Sequence, residues 1–204
     1  IRITEEPKFS PYSFVDMSSC LFSEDIAVTK YDFIYACAQK NFGPSGITLV
    51  IAKSELLEKS SPDLPNILKY DAHANEGSML NTPNTFGWYV AGKMFDWYLE
   101  NGGVAEMEKQ SKAKTALLYD LIDKSDFYIN PVNTKQRSIN NVVFTIVNSE
   151  LEKVFLEEAE KADLKYLKGH RTVGGMRASI YNSMKIESVS VLKDFMENFE
   201  KNYG

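Results

Sequence analysis

Phe33-Ile34-Tyr35-Ala36-Cys37-Ala38-Gln39-Lys40-Asn41-Phe42-Gly43-Pro44-Ser45-Gly46 joins an apolar run to a Gly/Pro turn, with one lysine at the junction. A short apolar run without alternation predicts a strand covered on both faces. The Gly-Pro and Ser-Gly pairs stop it. Lys40 is therefore expected at the C-terminal end of a buried strand. Desolvation penalises the charged form of a lysine and lowers its pKa. An amine tuned in this way bonds covalently to carbonyl carbons. Read by itself, the same lysine also suits a side chain with a buried stem and a head in water.

Upstream, the run Tyr12 to Val15 ends at Asp16 and is followed by Met17-Ser18-Ser19. It predicts a second strand with a polar C-terminal edge. Ile47 to Ala52 predicts a third. In open α/β sheets, ligands bind beyond the carboxyl ends of the strands. Asp16 and Lys40, 24 positions apart, are both delivered to such ends. Pyridoxal phosphate needs this pair: an amine for its aldehyde, and a carboxylate that keeps its pyridine nitrogen protonated so that the ring accepts electrons. Taken alone, Asp16 suits a strand-end cap or a structural ion pair.

The remaining pattern is one of ordinary globular material. The 204 residues are 44% hydrophobic and 25% charged, with 12 Phe, 11 Tyr and 2 Trp as core stock. A net charge of −5 disfavours a nucleic-acid partner. No run reaches the roughly 18 to 20 apolar residues that cross a bilayer, so no membrane partner is expected. The first residues show no secretion or transit pattern. Cys20 and Cys37 lack metal-ligand spacing, so no metal is expected, and they read as reduced, buried thiols of a cytoplasmic protein. A short helix is expected from an N-cap at Ser54 to Lys59, then a loop-rich stretch from Ser60 to Thr85. A helix over Thr85–Glu100 is stopped by Asn101-Gly102-Gly103. Val104 to Ile122 marks a second long helix. Phe127–Ile129 and Val142–Val147 predict strands. Ser149 and Glu152 form a capping box before a helix bearing Leu151, Val154, Phe155 and Ala159. Met176–Tyr181 predicts another strand, and Leu192 to Tyr203 a closing helix. The second half is thus a small α+β layer structure. The first half holds parallel-type strands with too few helices to cover them, as in a piece of a larger α/β domain.

Four segments carry a resemblance. The segment Ala38 to Gly46 resembles the cofactor-lysine segment of the phosphoserine aminotransferase family. Gly77-Ser78-Met79-Leu80-Asn81-Thr82-Pro83-Asn84-Thr85-Phe86, Asn101 to Met107, and Gly169-His170-Arg171-Thr172-Val173-Gly174-Gly175-Met176-Arg177 through Asn182 are similar to others in that family. The matches run in order along essentially the whole chain. The resemblance implies a class-V, fold-type-I pyridoxal-phosphate enzyme. Residues 1–102 would be the C-terminal portion of the large α/β cofactor domain, with a mixed, mostly parallel sheet. Residues 103–204 would be the small C-terminal α+β domain. Lys40 matches the lysine that bonds the cofactor aldehyde and shuttles the substrate proton. Asp16 matches the partner of the pyridine nitrogen, and Gln39 a glutamine lying against the cofactor. Asn81 and Thr82 match a pair that reaches the cofactor phosphate of the neighbouring subunit in a homodimer. Arg177 matches the residue for the substrate α-carboxylate. His170 and Arg171 match residues for the substrate phosphate or the distal carboxylate of glutamate.

The implied reaction moves the amino group of L-glutamate to 3-phosphohydroxypyruvate, giving O-phospho-L-serine and 2-oxoglutarate in serine biosynthesis. A phosphorylated hydroxythreonine substrate in pyridoxine biosynthesis is a further role of bacterial members. The family's chain extends further on the N-terminal side, where it carries the aromatic that stacks on the cofactor and more of the phosphate cup. The missing part is expected as a separate chain or as further sequence on the N-terminal side. The isolated 204 residues are expected to expose strand edges and to be inactive. Two alternatives stay open: a related fold-type-I desulfurase or lyase, and an inactive interaction fragment.

Overall fold

The computed structural model describes residues 11–204. They fall into two compact units, residues 11–104 and 105–204.

In the first unit, β1 (Phe14–Asp16), β2 (Phe33–Cys37) and β3 (Thr48–Ala52) form a three-stranded sheet in the order β1-β2-β3. The pairing of β1 with β2 is parallel, and that of β2 with β3 is antiparallel. The sheet is therefore mixed, and the expected parallel arrangement holds for β1 and β2 alone. β3 returns antiparallel because the turn after Lys40 is too short for a crossover, which needs a dozen or more residues. Coverage is uneven on both faces. Ile34 and Ala36 are buried on one face of β2 and Phe33 on the other, while Phe14, Tyr35 and Ile51 are exposed.

A polar staple fixes the start of this sheet. Asp32, just before β2, accepts from the Ser13 amide (2.8 Å) and hydroxyl (2.9 Å) and from Lys53 Nζ (2.6 Å) after β3. Hydrogen bonding from Lys53, then from Ser13, lowers the Asp32 carboxyl from 3.8 to about 2. A carboxyl with a depressed folded-state pKa stabilises the fold above its unfolded value and loses that contribution as it protonates in the folded state. Asp32 thus supports the sheet above pH 3.8 and stops doing so as the pH falls to about 2. The Asp32→Asn variant is expected to lose this part of the acid dependence. Acid titrations followed by circular dichroism should show a shallower slope in that window, and identical slopes would contradict the staple.

The short helix α1 (Ser54–Leu57) begins after Lys53, with no side-chain cap from Ser54. The loop expected over 60–85 contains α2 (Tyr70–Asn75), a correction to the sequence reading. Its single turn and a half lacks a capping side chain, so nothing in the sequence announced it. α3 (Thr85–Glu100) runs as expected, with Asn84 Oδ1 accepting from the Gly87 amide at 3.0 Å. Ala91 and Tyr98 face the core of this unit, and Phe86, Tyr89 and Leu99 are exposed.

In the second unit, α4 (Gly103–Lys124) leads into β4 (Tyr128–Ile129), β5 (Asn141–Ile146), α5 (Leu151–Lys161), β6 (Met176–Ser179) and α6 (Ile186–Tyr203). The sheet order is β4-β5-β6, all antiparallel. β5 alternates strictly: Val142, Phe144 and Ile146 point into the core. Phe155 lies at the core's centre, edge-on to Phe144 (5.7 Å) and Phe199 (5.0 Å). The buried Tyr128 hydroxyl donates to the Met196 carbonyl at 2.9 Å, and burial pushes its pKa up. The expected Ser149–Glu152 capping box does not form. Glu150 is the N-cap residue without a side-chain bond, and Asn148 Oδ1 takes the Glu150 amide at 3.1 Å. An Asx turn has replaced the box. One cation is buried here: Lys114, on α4, with its head on the carbonyls of the turn that follows β6.

Candidate active site

Parallel pairing sends the C-terminal ends of β1 and β2 to the same edge, so Asp16 and the turn bearing Lys40 emerge together. The two following loops are tied to each other. Asn41 Nδ2, buried, donates to the Leu21 carbonyl and the Ser23 hydroxyl, both at 2.9 Å. The Tyr98 hydroxyl of α3 donates to the Asn41 carbonyl at 2.7 Å. The amides of Phe42 and Gly43 both bond the Ala38 carbonyl at 3.0 Å. Phe22 adopts a left-handed φ of 65°, a costly conformation for an aromatic residue. Its ring is held against Phe42 (5.4 Å) and Tyr98 (5.3 Å), which explains how the strain persists. α3 approaches closely: a Cβ on Gly87 would lie 2.7 Å from Ile47 Cγ1.

Asp16 is exposed at the strand end, and Lys40 is half-buried. Burial works to raise the Asp16 pKa, but it is outweighed. Hydrogen bonds from the Ser18 side chain and backbone, the charge of Lys40 and a bond from Tyr35 hold the carboxyl below its ordinary value. The Ser18 amide donates to Asp16 Oδ1 at 2.8 Å. Lys40 acts on Asp16 through space, yet among the described residues its amine makes no hydrogen bond and no ion pair. Such a separated pair suits pyridoxal phosphate, whose aldehyde and ring nitrogen lie on opposite sides of the ring. The donor set therefore fits this cofactor, with Gln39 exposed beside the lysine.

Asn81 and Thr82 lie on an exposed loop before α3, and among the described residues no hydrogen bond joins them to Asp16 or Lys40. Cys20 and Cys37 are not joined in a disulfide, and both are half-buried rather than buried as expected. The cysteine sulfurs approach the Met17 carbonyl (3.8 Å) and the Thr48 hydroxyl (3.7 Å).

In the second unit, His170 and Arg171 occupy the tip of a hairpin closed by Gly169 N–H to Gly175 O (2.8 Å) and Arg177 N–H to Leu167 O (2.7 Å). Gly169 is required there, because a Cβ would fall 2.0 Å from the Gly174 carbonyl oxygen. His170 Nδ1 pairs with the Thr172 hydroxyl at 2.8 Å. Both tip residues line an open groove of about 860 Å³ against α5, where Lys153, Lys161 and Lys168 face Glu157 and Glu160. Arg177 lies outside this lining, on β6, opposite Val143. Its Nε is buried and has no partner among the described residues. Sequence reasoning missed Ser18, Tyr35 and Asn41. Each is polar beside an apolar run, but nothing in one sequence separates such a residue from a surface one.

The family model described as aminotransferase class-V matches residues 10–192, and the chain belongs to that family. Within it, the similarity is to phosphoserine aminotransferases. The one from Acinetobacter baylyi is 51% identical over 204 residues, all of this chain and 57% of its own length. One from Buchnera aphidicola is 50% identical with the same coverage. The chain thus spans a little over half the length of the curated relatives it matches. Among solved structures, the phosphoserine aminotransferase of Bacillus circulans subsp. alkalophilus superposes with a TM-score of 0.95 at 39% identity, over 99% of this chain and 56% of that one. One from Trichomonas vaginalis with pyridoxal phosphate bound gives 0.88 at 34%, over 95% and 56%. A cysteine desulfurase from Thermococcus onnurineus, 19% identical with a TM-score of 0.73, shares the fold alone. The resemblance carried by the four segments and the α/β fold class agree with these findings. No helix among the described residues is long and apolar enough to cross a membrane.

Proposed function

We propose that this chain is the C-terminal part of a phosphoserine aminotransferase that passes the amino group of L-glutamate to 3-phosphohydroxypyruvate. The observation that carries the reading is the convergence of Asp16 and Lys40 at one sheet edge, in a chain half-identical to phosphoserine aminotransferases along its whole length. When bound, pyridoxal phosphate supplies an aldehyde that links to amines and a protonated ring that spreads the electron pair left at Cα.

The chain's own residues divide the remaining work. Asp16, kept ionised by Ser18 and Lys40, would hold the proton on the cofactor's ring nitrogen. Lys40 would hold the cofactor through its aldehyde, and its amine would carry the proton to and from the substrate Cα. Gln39 lies beside the cofactor. Arg177 pairs bidentately with the α-carboxylate. His170 and Arg171 take the substrate phosphate or the distal carboxylate of glutamate. The proposed roles of residues 1–102 and 103–204 are cofactor domain and small domain.

Asn81 and Thr82 serve the cofactor phosphate of a second subunit in a homodimer. Their exposure, and that of Phe86, Tyr89 and Leu99 nearby, is consistent with a protein partner on this face. The rest of the catalytic domain comes from the length of the relatives that this chain does not span. A cytoplasmic site in serine biosynthesis, with pyridoxine biosynthesis as a second use, completes the reading. The test is to purify the protein carrying this chain with pyridoxal phosphate and to measure glutamate-dependent formation of phosphoserine. A yellow protein that releases sulfur from cysteine, and ignores glutamate, overturns it.

A further inference from the structure

We propose that Asn41 is a positioning residue for Lys40. Its buried side-chain amide ties the turn that carries the lysine to the loop that follows Asp16, and so sets the spacing between amine and carboxylate. The value of that spacing to the reaction rests on the proposed function, while the tie itself does not.

Strand pairing alone does not set this spacing. The parallel ladder of β1 and β2 ends with Asp16 opposite Tyr35. Just past it, the Met17 amide donates to the Tyr35 carbonyl at 2.9 Å, and the Cys37 amide donates to the Ser18 hydroxyl at 3.0 Å. Beyond Ser18 and Cys37 both segments leave the sheet as loops. Each loop is first closed on itself. The Met17 carbonyl accepts from the Cys20 amide (3.1 Å) and the Leu21 amide (2.9 Å), and the Ser23 amide donates to the Cys20 carbonyl at 2.9 Å. On the other side, the Phe42 amide reaches back to the Ala38 carbonyl at 3.0 Å and encloses Gln39, Lys40 and Asn41 in one turn. Two closed turns still need a bond between them.

Asn41 supplies it. Its Nδ2 donates to the Leu21 carbonyl and the Ser23 hydroxyl, both at 2.9 Å, so both amide N–H groups serve the loop that follows Asp16. Phe22 lies between these two acceptors, at a φ of 65°. Its left-handed conformation bends the chain so that the acceptors on either side converge on one nitrogen. Strain of this kind persists only where the surroundings fix it. Here the Phe22 ring packs against Phe42 (5.4 Å), Phe95 (5.5 Å) and Tyr98 (5.3 Å). From the opposite side, the Tyr98 hydroxyl donates to the Asn41 carbonyl at 2.7 Å, so α3 holds the same residue through its backbone. Ser23, Asn41 and Tyr98 are all buried, where a lost hydrogen bond leaves its partner without water. Asn41 adjoins Lys40 in the chain, so a shift of its backbone passes directly to the lysine. A ligand that must meet Asp16 with one end and Lys40 with the other tolerates little such misplacement.

The test uses the protein carrying this chain, first without cofactor. Tyr98→Phe keeps the ring and removes the donor to the Asn41 carbonyl. Ser23→Ala removes one acceptor of the Asn41 amide. Both leave Asn41 itself in place, so the fold survives. Hydrogen–deuterium exchange is expected to quicken in the peptides spanning 17–23 and 38–43 together, in each variant. Exchange that quickens only around the substituted residue, or nowhere, overturns the tie. Two ligands then separate positioning from mere support. Pyridoxal phosphate engages both Asp16 and Lys40, whereas pyridoxine phosphate, an alcohol at the same carbon, cannot bond to an amine and engages Asp16 alone. Retention of pyridoxal phosphate should fall about tenfold or more in both variants, and that of pyridoxine phosphate should change by less than about twofold. Equal losses for the two ligands, or none, overturn the positioning role. A wild-type protein that binds neither ligand overturns the proposed function instead, and coupled exchange then leaves Asn41 as the tie between the two loops.

Discussion

Replacing Lys40 with alanine is expected to reduce amine transfer at least about 10³-fold, because one side chain supplies both the covalent anchor and the proton carrier. The fold should be unaffected. Lys40 makes no hydrogen bond or ion pair among the described residues. The turn it sits on is held by Asn41, Tyr98 and the Ala38 carbonyl. Lys40→Arg should be no better, since a guanidinium stays protonated and cannot attack an aldehyde. Three measurements on the protein carrying this chain separate the explanations. Borohydride treatment with pyridoxal phosphate should fix the cofactor mass to the wild-type peptide containing Lys40, and to no peptide of Lys40→Ala. The visible absorbance should vanish in the variant. The thermal midpoint should match the wild type. A variant that keeps cofactor covalently attached, or that turns over at the wild-type rate, removes Lys40 from the chemistry.

The lysine was legible because its environment contradicts its character. A cation between a six-residue apolar run and a Gly/Pro turn demands a reason. Asp16 could be added from the rule about strand ends, which needed no contact information. The resemblance implied a mixed sheet, but the residues of the first sheet did not by themselves show that β3 returns antiparallel. An apolar run reads alike whether its neighbour is parallel or antiparallel, and only the short Asn41 to Gly46 connection carried the difference. α2 escaped for want of a cap. The capping box at Ser149 was a false positive, because Asn148, one position earlier, offered the backbone a competing turn. Tyr35 reads in the sequence as one more core aromatic of an apolar run, and its exposed place opposite Asp16 depends on which residue stands across the ladder. The groove beside His170 was likewise invisible, because α5 and the hairpin are far from adjacent in pattern although near in sequence.

The largest expected effect on stability falls on a residue that the sequence hid completely. Lys114 sits on α4, where charged residues on either side, Lys112 and Asp120, mark a solvated helix. It is nevertheless 2% exposed. Its Nζ donates to the carbonyls of Tyr181 (3.0 Å), Asn182 (3.3 Å) and Met184 (2.9 Å), which matches the three donors of an ammonium group. Nearby, the Ser111 hydroxyl donates to Asn182 Oδ1 at 3.4 Å. These bonds close the turn that leaves β6, the strand of Arg177. No carboxylate pairs with Lys114 among the described residues, and burial pushes its pKa down. Lys114→Met fits the volume but strands three carbonyls, so the expected loss is about 3 kcal/mol. For a chain of this size that lowers the thermal midpoint by about 6–12 °C. The pH dependence gives a second signature. A base with a depressed folded-state pKa binds its proton more tightly when unfolded, so stability rises with pH between the folded value and 10.5. The gap between wild type and Lys114→Met should therefore widen as denaturant titrations move from neutrality toward pH 10.5. A methionine variant with the wild-type midpoint would mean that water satisfies the three carbonyls, and that the turn after β6 keeps its shape without a cation beneath it.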